Sequence, residues 1–137
     1  MDDTQLKAMY RVLVAAVAID GEQHPNEVGF LQHNAKIGGH EHKQALDEAV
    51  NSFFEKGSGE YSKDYIIGFA SSGITFLVDA DPKVKIEVLT RCAQVFGADG
   101  VIRDSERSFL LSICQLFGLD DKTTDKFIKG IVGRVEN

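Results

Sequence analysis

The chain has 137 residues, 43% of them hydrophobic and 26% charged, and carries a net charge of −6. That length suits a single domain able to bury roughly two thirds of its unfolded surface, and the composition is globular rather than disordered. The negative charge argues against nucleic acid or an anionic membrane surface as main partner, since both are bound through Lys and Arg.

The opening MDDTQ is acidic and carries no basic start ahead of an apolar run, so no secretory leader is expected. Leu6, Met9, Tyr10, Leu13, Val14, Val17 and Ala18 then follow the i, i+3, i+4, i+7 spacing of a helix over about 4–19. Gly21 ends it, and Pro25, whose missing N–H would be unpaired in a first turn anyway, opens a second helix over about 25–37. Gly38 and Gly39 stop that helix. A third, over about 41–56, sets Leu46, Ala49, Val50, Phe53 and Phe54 on one face and runs out at Gly57-Ser58-Gly59.

The stretch 62–78 differs in kind. Ile66, Ile67, Phe69, Ile74, Phe76, Leu77 and Val78 are interleaved with Gly68, Ala70, Ser71, Ser72 and Gly73, which suits a central helix packed on several sides. It is too short and too interrupted by Ser and Thr to span a bilayer. Asp79, Asp81 and Pro82 read as a turn and cap for a helix over about 82–96, with Val84, Val88, Leu89, Cys92, Val95 and Phe96 inward. A sixth helix over about 104–117 buries Phe109, Leu110, Ile113, Cys114, Leu116 and Phe117 and ends at Gly118. A seventh spans about 121–134, with Phe127, Ile128, Ile131, Val132 and Val135 inward. Cys92 and Cys114 lie among apolar residues and read as small buried hydrophobes. The expectation is an all-α single domain over 1–137: about seven helices, two helix-loop-helix repeats (about 4–56 and 82–134) packed around a central apolar helix.

The repeat is visible in the residues. Residues 18–27 read AIDGEQHPNE and residues 97–106 read GADGVIRDSE, each with Asp-Gly and a Glu seven positions after the Asp. Between 20–39 and 99–118, six of twenty positions are identical (Asp20, Gly21, Glu27, Phe30, Leu31 and Gly39 with their partners), where average residue usage would give roughly one. Asp-Gly with a later Glu matches the back half of an EF-hand loop, in which Gly makes the turn and Glu grips the cation. The front half is absent: Ala16 and Ala18, or Val95 and Gly97, stand where carboxylates belong. Three readings remain. Glu27 and Glu106 cap and brace helix starts, or the two loops converge and pool Asp20, Glu27, Asp99 and Glu106 on one divalent, calcium-like cation, or the acidic loops form a surface patch that docks a protein partner.

The same residues resemble the TerB-like tellurite-resistance family, in which an apolar helix, A-x-D-G, five residues, Glu and a second apolar helix recur. The resemblance covers nearly the whole chain and implies an all-helical duplicated domain linked to tellurite, metal or general stress responses. It also implies acidic metal contacts, which would fall on Asp20, Glu27, Asp99 and Glu106. The loops differ in that Gln23 stands where the second has Ile102. Related modules occur in bacterial membrane-anchored J-domain co-chaperones, but no J-domain motif or anchor is visible. His40 and His42 have too few companions for zinc and read as a solvated helix start. No G-x-S-x-G, P-loop or dinucleotide pattern occurs. The function expected is that of a cytoplasmic, non-enzymatic module that binds another protein. A cation-binding protein is the alternative, and a small metal-dependent hydrolase is the least favoured reading.

Overall fold

In the computed structural model, residues 1–19, 25–54, 62–96 and 103–136 are described, the side chains of 25–27, 121, 128 and 131–136 excepted. Among them stand seven helices and no strand: α1 (Asp3–Ala18), α2 (Pro25–Gly38), α3 (His40–Phe53), α4 (Lys63–Ile74), α5 (Pro82–Phe96), α6 (Asp104–Leu116) and α7 (Asp121–Glu136). The fold is all-α, and among the described residues no helix is long and apolar enough to cross a membrane.

The helix ends follow from local chemistry. Asp2 caps α1, accepting the Gln5 N–H at 2.8 Å while the Gln5 side chain accepts the Asp2 N–H at 3.2 Å. Ser62 caps α4 through the Tyr65 N–H, and Asp81 accepts the Lys83 N–H ahead of α5. Gly39 and Gly118, partners in the repeat, both take positive φ, 97° and 74°. After α6 the N–H groups of Gly118 and Leu119 return to the carbonyls of Gln115 and Cys114. This left-handed stop favours glycine, with Asn the commonest substitute.

The central place belongs to α1 rather than to the 62–78 stretch. Leu6, Ala8, Met9, Tyr10, Val12, Leu13, Val14, Ala15, Ala16 and Val17 are all buried, which leaves α1 almost no outer face. It packs against α3, α4 and α5, and more lightly against α2. The helix α4 buries one side, Ile66, Phe69, Ala70, Gly73 and Ile74. It stops at Ile74, four residues short of the expectation, and leaves Phe76 and Val78 exposed. Gly73 does serve close packing: a Cβ there would lie 2.7 Å from the Ala8 carbonyl oxygen and 3.2 Å from the Arg11 Cβ. Gly68 does not, since a Cβ there would meet nothing within 4 Å. Leu116, expected inward, is exposed, whereas Phe109, Leu110, Ile113, Cys114 and Phe117 are buried as expected.

Candidate functional site

Of the four carboxylates proposed from sequence, Asp20 and Asp99 lie outside the described residues, as does the side chain of Glu27 in the first turn of α2. Glu106 is described, and it has no exposed surface. It occupies the third position of α6, and its Oε1 accepts the Arg103 backbone N–H at 2.9 Å, with Arg103 Nη1 at 3.5 Å. A carboxylate taken from water needs such partners, and the start of a helix also favours negative charge. Glu106 therefore braces the helix start, the first of the three roles open to it. Upstream of the first loop, Ile19 lines a cavity of about 280 Å³ with Asp104, Ser105 and Phe109 of α6 and Lys63 and Ile67 of α4. The chain entering the first loop thus sits beside the helix that leaves the second. Among the described residues no group of three or more His, Cys, Asp or Glu is placed to hold a metal.

A polar chain that the sequence reading missed crosses four helices. Asn34 Nδ2 donates to the Tyr10 hydroxyl at 3.1 Å, and that hydroxyl lies 2.8 Å from His42 Nδ1. With Asn34 donating, Nδ1 of His42 is the acceptor at hand for the phenol proton, an arrangement that calls for a neutral imidazole with its own proton on Nε2. Arg91 donates to Asn34 Oδ1 and pairs with Glu87 at 3.0 Å. Burial pushes the Tyr10 phenol up from its ordinary pKa. Burial, then the Arg91 charge, pushes His42 down. Gly38 accommodates the imidazole, because a Cβ at that position would fall 2.2 Å from the ring. His40 is exposed. His42 is half-buried and bonded, which corrects its reading as part of a solvated helix start. The available signal was phase: His42, Ala45, Leu46, Ala49 and Phe53 lie on one helical face.

An open apolar groove of about 460 Å³ lies among α1, α2 and α3. Val14, Val17, Leu31, Val50, Phe53 and Phe54 line it, with Gln32, Asp47 and Asn51 alongside. Its aromatic wall is well fixed. Phe53 meets Phe54, Tyr65 and Phe69 edge to face, and the Tyr65 hydroxyl donates to the Phe53 carbonyl at 2.6 Å. Cys92 and Cys114 are free thiols inside the core. Burial pushes both thiols up, with the neighbouring Cys114 adding to the effect at Cys92, so neither is poised as a thiolate.

The described residues form an all-helical fold with an accessible apolar groove among α1, α2 and α3. Comparison with known proteins finds no family profile, curated protein or solved structure that matches the chain.

Proposed function

We propose that the protein is a cytoplasmic, non-enzymatic interaction module of TerB-like kind, serving a tellurite, metal or general stress response by docking another protein. The supporting observation is the groove among α1, α2 and α3. Its half-exposed Val50 and 44%-exposed Phe54 leave apolar surface in water beside a fixed aromatic wall, and covering such surface is worth about 25 cal/mol per Å². An apolar-faced helix of the partner fits a depression of this form. The test is recovery of bound proteins by the parent chain and by Val50→Glu, with circular dichroism confirming that both are folded. Partners held by the parent should be lost from the variant. Equal recovery by both would overturn the reading.

A second reading, a divalent-cation protein, is favoured by the adjacency of Ile19 to the start of α6, which brings the flanks of the Asp-Gly loops together. If Asp20, Glu27, Asp99 and Glu106 share a calcium-like ion, binding to the folded state adds about 2.7 kcal/mol at a hundredfold excess over Kd. A melting temperature raised by millimolar Ca²⁺ in the parent, and unmoved in Glu27→Gln/Glu106→Gln, would establish it.

A further inference from the structure

A second groove, of about 510 Å³, runs along α1 and α3 on another flank of α3, and reaches Phe76 beyond the end of α4. Arg11 lies half-buried in it. Its Nη1 donates to the Ser72 hydroxyl at 3.1 Å and its Nη2 to the Ser52 hydroxyl at 3.3 Å. The guanidinium also stacks over Phe69, 5.0 Å from the ring centroid. Ser72 sends its own proton to the Phe69 carbonyl at 2.6 Å, so toward Arg11 it is an acceptor. One turn earlier, Lys7 faces two carboxylates, Asp3 at 3.3 Å and Glu48 at 3.4 Å. Both acids that line the groove are thus committed to Lys7. Among the described residues no carboxylate stands within ion-pair distance of Arg11.

A guanidinium drawn partly out of water gives up hydration that hydrogen-bond partners must replace. Here two neutral hydroxyls and an aromatic face hold the planar fork in place while satisfying only two of its five N–H donors. A carboxylate matches the donors that remain. The rest of the groove offers apolar surface from Ala8, Ala45 and Ala49 on its walls and from Phe76, 62% exposed, on its rim, with Thr4 and Asn51 alongside. Its volume lies within the range of small-molecule sites, about 300–1,000 Å³. Asp3 and Glu48 would repel a second negative charge, which disfavours phosphate.

We propose that this groove binds a small monocarboxylate with an apolar tail, its carboxylate paired to Arg11 and its tail laid on the alanines and Phe76. The site lies apart from the docking groove, with Asn51 alone common to the two linings, and Val50→Glu should leave it intact.

Phenylacetate is a suitable probe, followed by amide chemical shifts and melting temperature, with 2-phenylethanol and inorganic phosphate as controls. Phenylacetate should move the amides of residues 7–11 and 45–52 saturably and raise the melting temperature. The alcohol and phosphate should bind at least tenfold more weakly. Arg11→Gln should weaken phenylacetate tenfold or more. Because Arg11 also ties three helices together, Phe76→Ala provides the second variant. It should weaken binding severalfold while leaving the unliganded melt unchanged. No saturable response to phenylacetate, an equal response to phosphate, or binding unchanged in both variants would overturn the assignment.

Discussion

The Tyr10 hydroxyl, on a side chain with no exposed surface, meets Nδ1 of His42 at 2.8 Å, with the two rings crossed at 86°. Asn34 donates to that hydroxyl, and Nδ1 of His42 is the acceptor that the described residues offer the phenol proton. A protonated imidazole would leave that buried proton without its acceptor. Burial first, and then Arg91, hold the folded pKa of His42 below 6.5, against the opposing pull of Glu41 and Glu87. The folded state therefore binds fewer protons than the unfolded state below 6.5, so stability rises with pH. The contribution is complete above 6.5 and is lost as pH falls from there through the folded pKa. Urea titrations between pH 5 and 8 should show this slope in the parent and a shallower one in His42→Gln. Parallel profiles would refute the coupling.

Gly73 sets how closely α4 approaches α1. A Cβ at 2.7 Å from the Ala8 carbonyl has backbone, not a yielding side chain, in its way. Overpacking costs about 1–3 kcal/mol, against roughly 1 kcal/mol of helix propensity gained on replacing Gly by Ala. Gly73→Ala should lose stability on balance and Gly73→Leu more. Gly68→Ala, which enters open space, should hold or gain. Denaturant midpoints that fail to separate Gly73→Ala from Gly68→Ala would show that the contact is slack.

The two stop glycines are expected to differ despite their shared place in the repeat. Gly118 lies at φ 74° in a left-handed helix stop, a region Asn also visits. Gly39, at φ 97° and ψ −165°, occupies a region reserved almost wholly for Gly, where other residues cost about 1–3 kcal/mol. Gly118→Asn should therefore be nearly neutral and Gly39→Asn clearly destabilising. Equal losses would mean that Gly118 is not in the left-handed well.

At Glu106 the oxygen and the charge can be separated. Glu106→Gln retains an acceptor for the Arg103 N–H but loses its charge-assisted character, at about 1 kcal/mol. Glu106→Ala leaves that donor unanswered at about 1–3 kcal/mol. The order Ala below Gln below Glu, read from urea midpoints, is the expected result. Gln and Ala variants of equal stability would remove the bracing role.

Helix identity and most boundaries were legible because period and breakers agree at each end: Pro25 and Pro82 begin helices, and Gly39 and Gly118 follow them. The centre was not. The 62–78 stretch is apolar on most sides, yet it shows Gly68 of α4, and Phe76 and Val78 beyond that helix, to water. Ala8, Ala15 and Ala16, by contrast, close the back of α1 with small side chains that carry little hydropathic weight. Burial follows position among neighbours, which a local window cannot read. The Tyr10–His42 and Arg11–Ser72 links escaped for a related reason, since each joins residues 32 and 61 positions apart. The Asp-Gly repeat was legible as a repeat, and Glu106 as a helix-start brace. Asp20, Glu27 and Asp99 fall where the structure describes no side chain.

The buried thiols turn the core into a gauge of its own opening. Cys92 belongs to α5 and Cys114 to α6, and Cys114 lies beside the buried Thr124 of α7, a helix that packs chiefly on α6. An alkylating reagent can reach neither sulfur in the closed molecule. Modification of Cys114 alone would time the lifting of α7, and modification of both together would time global unfolding. One chain thus carries two clocks that run at different rates whenever its last helix undocks before the rest.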